Sequence, residues 1–358
     1  MSIQKRPNDK YRARYRDLDG REHSRHFDRK GDAELWLADQ RVKLARGDWL
    51  DPAAGLVTVE AWAKEWLPSQ VQLKPSTYRR YESLLSTHIV KKWAKTPLSR
   101  LSPSSLQTWV ADLSKKLSAS SVRQAVIVLS RMLDVAVRDG RIRSNPAKGL
   151  ELPRLVSKPR RYLTHAQVRA LAEGIGHHKP LILLLAYSGI RWGEAMALTA
   201  ADVDTLRCRL SITASTTEVS GKAVRGTPKS GKGREVTVPR FVIEAMSPLL
   251  TGGPVFHAPR GGPISYSNFR RDFFTPAATA IGSEGLTPHE LRHTAASLAI
   301  SAGASPVAVA KMLGHADPSI TLKVYTHLFA DDLDDVAARM GAAAADSMRT
   351  ARAGKSAG

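Results

Sequence analysis

The residues best suited to chemistry lie close together near the C-terminal end of the sequence. His289 and Arg292 are three residues apart, a spacing that places both side chains on one face of a helix. His315 follows in Leu313-Gly314-His315, and Tyr325 comes soon after it. Cationic groups can hold phosphate oxygens, imidazoles can move or share protons, and a phenol can attack phosphorus. These residue types therefore suit cleavage of a phosphodiester without a metal ion.

Further cations precede this cluster. Arg191 follows a long apolar helix that ends at Gly189, and an arginine at such a junction can fork onto two phosphate oxygens. Its alternative role is an ion pair with Glu194, and both roles are compatible. Lys229 and Lys232 lie in a glycine-bearing turn between two predicted strands. Either can donate a proton to a leaving oxygen if neighbouring cations lower its pKa, or be a solvated turn residue.

The local sequence predicts how these side chains are positioned. Thr287 is a good N-cap, Pro288 suits the first helical position, and Glu290 completes a Thr-x-x-Glu capping box. This predicts a helix start with His289 in its first turn, where free N–H groups and the helix dipole favour an anion. Taken singly, a His-x-x-Arg pair is a weak signal, and a lone tyrosine is more often a core or surface residue.

The N-terminal segment alternates in a way that is typical of a β-strand. Residues 10–16 place Tyr11, Ala13 and Tyr15 on one face and Arg12, Arg14 and Arg16 on the other. Asp19-Gly20 predicts a hairpin, and a helix is predicted from residue 33 to 46. The result is a small three-stranded sheet backed by one helix, whose arginines face outward for DNA binding or simply form a solvated face.

The remaining segments predict a mainly α, multidomain protein. Thr58-Val59-Glu60-Ala61-Trp62 predicts the start of a capped helix. Further helices are predicted near 75–90, 103–116 and 119–139, and an extended linker begins at Asn145-Pro146. Beyond it we predict a mixed, mostly helical α+β domain with a small antiparallel sheet. Its predicted elements are a helix capped by Thr164, a buried helix at 181–186, strands at 207–213 and 234–238, and helices from 267 onward. We place domain boundaries to give segments 1–56, 57–152, 160–340 and a C-terminal tail at 341–358.

Composition limits the classes of partner and compartment. The net charge is +21, from 54 basic and 33 acidic residues, which indicates a polyanionic partner, with nucleic acid favoured over an anionic membrane surface. Residues 57–152 are the most basic per residue, with 16 basic and 7 acidic side chains. No apolar run approaches a spanning helix and no secretory leader is apparent, so we expect a cytoplasmic protein. The single cysteine, Cys208, excludes an intrachain disulfide and a cysteine-based zinc site.

Together the motifs resemble those of the tyrosine recombinases, specifically the phage-type integrases. The resemblance covers nearly the whole chain, and five motifs in register are far more specific than any one of them. They are Gly189-Ile190-Arg191-Trp192-Gly193-Glu194, Pro228-Lys229-Ser230, His289-Glu290-Leu291-Arg292-His293-Thr294, Leu313-Gly314-His315 and Tyr325. The resemblance also implies that residues 1–56 bind arm-type DNA sites, that 57–152 bind core-type sites, and that 160–340 form the catalytic domain.

The resemblance implies a mechanism. Tyr325 attacks a DNA phosphodiester to form a 3′-phosphotyrosyl bond, and Lys229 protonates the released 5′ oxygen. Arg191 and Arg292 hold the charge on the phosphorane, His289 accepts or shares the tyrosyl proton, and His315 hydrogen-bonds a phosphate oxygen. The bond energy is kept in the covalent intermediate, so no cofactor, metal or ATP is implied.

The resemblance also implies partners, which are double-stranded attachment sites, a homotetramer on DNA, a host DNA-bending protein and a directionality factor. Whether the C-terminal segment packs on its own or a neighbouring protomer stays open, as does the choice between Lys229 and Lys232. The nearest rival enzyme is a type IB topoisomerase, which shares the phosphotyrosyl chemistry but acts alone. A non-catalytic DNA-binding regulator is the alternative from another class, although a binder has no need for all six residues.

Overall fold

The computed structural model describes residues 1–47, 49–156, 161–219, 221–228, 231–259, 261–315, 317–326, 337–338 and 340–345. The chain divides into two compact units, Met1–Val156 and Ser157–Gly358. Both units are mostly helical and both contain small antiparallel sheets, so the predicted fold class is confirmed. Within the described ranges, no helix is both long and apolar enough to cross a membrane. The finer domain boundaries remain predictions.

The first unit begins with a three-stranded antiparallel sheet and one helix. The elements are β1 (Ser2–Lys5), β2 (Tyr11–Arg16), β3 (Glu22–Phe27) and α1 (Lys30–Arg46), with β2 in the centre. Ala13 and Tyr15 are buried under Leu37 of α1, because strand alternation sends them to the helix-covered face. Gly47 ends α1 with φ of 73°, a left-handed conformation that glycine adopts without strain.

Helices make up the rest of the first unit. They are α2 (Val59–Trp66), α3 (Pro75–Leu84), α4 (Lys91–Trp93), α5 (Pro103–Ser114) and α6 (Ala119–Arg138), and a π-helical segment (Leu85–Val90) joins α3 to α4. The Thr58 side chain accepts a hydrogen bond from the Ala61 N–H, as the sequence predicts for the start of α2. Trp62, Trp66 and Trp109 pack with the apolar face of α6 in one buried core.

The second unit has a helical core with sheets at its side. Its elements are α7 (His165–Gly174), α8 (Lys179–Ser188), α9 (Trp192–Ala195), β4 (Val203–Asp204), β5 (Arg209–Ile212), β6 (Ser215–Val219), β7 (Lys222–Gly226), β8 (Arg234–Thr237), α10 (Arg240–Met246), α11 (Tyr266–Phe269), α12 (Thr275–Ala280), α13 (Glu290–Ser301), α14 (Pro306–Leu313) and α15 (Pro318–Tyr325). The apolar α8 is buried against α7, α10 and α13. Strands β4, β5 and β8 form one sheet, and β6 pairs with β7 in a hairpin.

The start of α13 differs from the prediction. The regular helix begins at Glu290 with His289 at the N-cap, so His289 precedes the first turn. The Glu290 carboxylate accepts from both the backbone N–H and the hydroxyl of Thr287, at 2.7 and 3.0 Å. The bond from the Thr287 N–H is one half of the predicted capping box. The N–H groups of Glu290, Leu291 and Arg292 bond the carbonyls three residues back, so a tight turn over 287–289 precedes the regular helix. The other predicted capping box, Thr164 with Gln167 at the start of α7, is confirmed.

Candidate active site

The site is built around Arg292, a buried cation of the second unit. Its side chain is 5% exposed and lies on α13. Nη1 donates to the Gly189 carbonyl and Nη2 donates to the Leu313 carbonyl, each at 2.6 Å. These two oxygens belong to the turn after α8 and to the end of α14. One guanidinium therefore brings together the segments that carry Arg191, Arg292 and His315, which are far apart in the sequence.

Gly189 allows this convergence. It ends α8 with φ of 64°, and a Cβ on it would lie 2.6 Å from Leu313 Cδ2. Only glycine fits both the left-handed conformation and the close approach of α14. The chain then turns so that Arg191 emerges at the start of α9.

Arg191 forms the predicted ion pair with Glu194. Arg191 Nη1 lies 2.9 Å from Glu194 Oε1, and the Arg191 backbone N–H donates to Oε2 at 2.8 Å. Glu194 is fully buried, whereas about a quarter of the Arg191 side chain, 26%, is exposed. The carboxylate therefore fixes one edge of the guanidinium and leaves the rest open to a ligand.

A third arginine, Arg234 at the start of β8, completes this ion cluster. Its Nη1 and Nη2 donate to the two oxygens of Glu194, at 3.1 and 2.8 Å. Burial alone would raise the pKa of Glu194, but the Arg234 hydrogen bonds and the Arg191 N–H bring it below its ordinary value. No local pattern indicates a role for Arg234, and the only signal in the sequence is its position after a turn that holds two lysines.

His315 directly follows Gly314, the left-handed residue that ends α14. Its Nδ1 lies 2.8 Å from Oγ1 of the buried Thr321 on α15. Burial, followed by the charges of Arg292, Arg191 and Arg234, lowers the pKa of His315 to about 4. The imidazole is thus neutral near pH 7. In the tautomer in which Nδ1 accepts from the Thr321 hydroxyl, the proton lies on Nε2, where it can donate to a phosphate oxygen.

Tyr325 is the last residue of α15, and its hydroxyl contacts a histidine of α13. Tyr325 is 1% exposed and packs in a small core with Ala296, Val309 and Leu313. Its hydroxyl lies 2.7 Å from Nδ1 of His293, which is one residue after Arg292. Burial, followed by the charges of Arg191 and Arg234, lowers the pKa of Arg292 to about 10, and ionisation of Tyr325 would act in the opposite direction. Tyr325 and the arginines thus share one electrostatic environment. The contact with His293 is not predictable from its position in the sequence.

The other predicted site residues lie in different surroundings. His289 is exposed, and its ring meets that of His293 edge to face at 5.8 Å between centroids. Lys229 lies outside the described residues, and Lys232 is exposed. Neither observation decides which lysine acts.

The three arginines of β2 (Arg12, Arg14 and Arg16) lie in the first unit, on the face of the strand opposite the helix. Arg12 and Arg14 approach Glu22 Oε1 at 3.5 and 3.7 Å, with 28% and 35% of their side chains exposed, and Arg16 is exposed. Exposed pairs of this kind contribute little to stability, so these arginines remain able to contact an anionic partner.

His315→Gln should reduce the acid sensitivity of folding. In the unfolded chain the imidazole binds a proton near pH 6.5, whereas in the folded protein it does so only near pH 4. The free energy of unfolding therefore falls as the pH drops from about 6.5 to about 4. A glutamine does not titrate, so denaturant melts should show the variant gaining stability relative to the parent through this window. The pKa of His178 is also lowered to about 4, mainly by burial, but His178 is present in both proteins and cancels. A difference that stays constant across the window would contradict the expectation.

Comparison with known families accounts for most of the chain. The phage integrase family matches residues 161–331, the phage integrase N-terminal domain matches 2–46, and the phage integrase N-terminal SAM-like domain matches 58–114. The first of these ranges contains every residue of the site described above.

Curated relatives match along nearly their whole length. The integrase of Mycobacterium phage D29 is 28% identical over 336 residues, which is 88% of this chain and 88% of the relative. The integrase of Mycobacterium phage L5 is 26% identical over 317 residues, covering 83% of this chain and 84% of the relative.

Solved structures share the fold. A Tn1549 transposon integrase in complex with transposon right end DNA has a TM-score of 0.68 at 21% identity, covering 80% of this chain and 100% of that one. A lambda integrase dimer bound to a core site has a TM-score of 0.60 at 19% identity, covering 90% and 93%. The family match, the relatives and the fold agree, and the chain is therefore a member of the phage integrase family, the tyrosine recombinases that break and rejoin DNA in site-specific recombination.

Proposed function

We propose that this chain integrates or excises a phage or mobile element through a 3′-phosphotyrosyl intermediate on Tyr325. The observation that carries the proposal is the pair of hydrogen bonds from Arg292 to the Gly189 and Leu313 carbonyls. They gather Arg191, Arg292 and His315 around one position, and Tyr325 packs with Leu313, whose carbonyl accepts from Arg292. Cations and a neutral imidazole beside a phenol are what transesterification at phosphorus requires.

Each side chain has a role in the proposed reaction. Arg191 and Arg292 hold the non-bridging oxygens as the attack of Tyr325 builds negative charge on the phosphorane. His315 donates a hydrogen bond from Nε2 to one of these oxygens. Lys229, or its rival Lys232, gives a proton to the leaving 5′ oxygen. When water-excluded donors meet developing charge in this way, each donor is typically worth about 10²- to 10³-fold in rate.

The proton of Tyr325 has two candidate acceptors. His289 remains our assignment from the sequence, because it is exposed toward solvent and lies at the N-cap of α13. His293 is the second, supported by the 2.7 Å contact between its Nδ1 and the phenolic oxygen. The two rings lie edge to face at 5.8 Å between their centroids, so His289 is adjacent to the histidine that contacts the phenol. His289→Ala and His293→Ala, compared in the same cleavage assay, distinguish them by which loses more rate.

A covalent-capture experiment tests the proposal. The full chain is incubated with a core-type half-site that carries a nick next to the scissile phosphate, so that the freed fragment diffuses away. We expect a denaturant-resistant protein–DNA adduct, with the nucleotide located by mass spectrometry on the peptide that contains Tyr325. No adduct, or a nucleotide attached to another residue, would overturn the proposal.

The partners follow from the same proposal. We infer that residues 1–56 bind arm-type sites, that 57–152 bind core-type sites, and that 160–340 carry out the chemistry, with 341–358 as a tail. Solved relatives include a lambda integrase dimer on a core site and a lambda integrase tetramer on a Holliday junction. These support a homotetramer on two duplexes. We further propose that a DNA-bending protein and a directionality factor assist it.

Substituting Ala for both Arg14 and Arg16 should weaken binding to arm-type DNA and leave core-site cleavage unchanged. Both side chains lie on the open face of β2, so the substitutions remove cations that face the phosphates without disturbing the buried face. The plot of log affinity against log salt has a negative slope, and the magnitude of that slope should decrease by about 0.9 for each phosphate that the variant no longer neutralises.

Titrations of the full chain with an arm-type duplex at several salt concentrations measure this slope. The control for net charge substitutes Ala for both Arg41 and Arg46, two exposed arginines on α1, and removes the same number of charges. An equal weakening in the control would show that the β2 face has no special role.

A further inference from the structure

The buried carboxylate of Glu194 is shared by two arginines that use it differently. Arg191 contributes one guanidinium nitrogen and its backbone N–H. Arg234 contributes two guanidinium nitrogens, one to each carboxylate oxygen, which is the stronger fork geometry. Because Arg234 neutralises the carboxylate, the charge of Arg191 is left uncompensated and available to a phosphate.

Arg234 also supports the turn that carries His315. Its Nε lies 3.4 Å from the Met312 carbonyl oxygen at the end of α14. A Cβ on Gly314 would fall 2.7 Å from Arg234 Nε, so the guanidinium lies directly under the residue before His315. Gly314 has φ of 66°, and glycine is the only residue type that fits both this conformation and the close contact with Arg234.

Arg234 is also fixed at its base. It is the first residue of β8, where it pairs with Ile212 of β5, and 11% of its side chain is exposed. A nearly buried side chain whose backbone is paired in a sheet has little conformational freedom. The groups that Arg234 hydrogen-bonds, the Glu194 carboxylate and the Met312 carbonyl, are therefore fixed in position. It connects the Glu194–Arg191 pair, the His315 turn and the strand that follows the lysine-bearing turn.

We propose that Arg234 is a positioning residue for phosphate activation, which aims Arg191 through Glu194 and supports the His315 turn. This rests on the roles proposed above for Arg191 and His315. Arg234 is mostly buried beneath these groups and acts through them. A purely structural ion pair is the competing explanation, since a buried pair that loses one member is destabilised whether or not it serves catalysis.

Replacing the scissile phosphate with a methylphosphonate separates the two explanations. A methyl group in place of one non-bridging oxygen removes the negative charge that Arg191 would stabilise. The experiment compares Arg234→Met and Arg234→Lys with the parent on both substrates, using single-turnover cleavage of a nicked half-site. The full chain is used, and rates are normalised to the folded fraction.

On the ordinary phosphate we expect Arg234→Met to cleave about 10- to 100-fold more slowly, the typical cost of misplacing a catalytic group. Arg234→Lys should lose less, since it keeps the charge but not the fork. On the methylphosphonate both defects should shrink, together with that of Arg191→Ala. Arg209→Met, which breaks an exposed pair with Glu235 on the same sheet, should behave like the parent on both substrates.

Other results overturn the inference. Unchanged cleavage by the Arg234 variants would contradict it. Equal defects on the phosphate and the methylphosphonate would also contradict it, because they would indicate a purely structural role. If Arg234→Met does not fold, the comparison of Arg234→Lys on the two substrates decides. Full activity in Arg191→Ala would instead overturn the proposed function.

Discussion

Tyr325→Phe is expected to bind core-site DNA as tightly as the parent and to form no covalent adduct. The change removes the only atom proposed to attack phosphorus and keeps the aromatic ring in its buried position. Losing the hydrogen bond to His293 should cost about 1 kcal/mol of stability, too little to unfold the chain. Gel-shift binding and denaturing gels on a nicked half-site measure the two properties separately.

The chain offers a matched control for this substitution. Tyr187 lies in the same unit, and its hydroxyl is 2.8 Å from Nδ1 of His165. Tyr187→Phe therefore removes a tyrosine–histidine contact of similar geometry outside the site and should leave cleavage intact. An adduct that persists in Tyr325→Phe would show that another residue is the nucleophile.

Arg292→Lys is expected to cleave at least about 10²-fold more slowly even though the charge is conserved. The guanidinium spans the Gly189 and Leu313 carbonyls with two nitrogens, and a single ammonium cannot reproduce that fork. The buried carbonyl left without its donor should also lower the free energy of unfolding by roughly 1–3 kcal/mol.

Cleavage should be measured at a temperature where both proteins are folded, with denaturant melts as the check. Arg240→Lys, in an exposed pair with Glu244, controls for the substitution itself. If Arg292→Lys cleaved at the parent rate, the convergence of the motifs on Arg292 would have no catalytic meaning.

The sequence predicted the local structure of the site well. The apolar run before Gly189 gave the buried α8, and strand alternation gave the face of β2 that carries Arg12 and Arg14. Such patterns depend on neighbouring residues, whose hydrogen bonds and side-chain periodicity are fixed by short-range geometry. The start of α13 differs from the prediction, because the N–H groups of Glu290, Leu291 and Arg292 bond carbonyls three residues back and form a tight turn before the regular helix.

The sequence could not predict which side chains meet across the fold. Arg234 and Glu194 are forty residues apart, and no local pattern indicates that they form a bidentate pair. The contact between His293 and Tyr325 is not predictable, because helical spacing alone does not show which ring reaches the tyrosine. Contacts of this kind depend on how α9, α13, α14 and β8 pack.

The identity of the chemical groups is a property of the sequence: arginines, histidines and one tyrosine in a fixed order, with glycines where the chain must turn. Only the tertiary structure decided their charge states and aim. Burial among three arginines makes His315 neutral. Glu194 orients the Arg191 guanidinium, and Arg234 neutralises the charge of Glu194. Desolvation and ion pairing act between residues distant in the chain, so they exist only once the helices have packed.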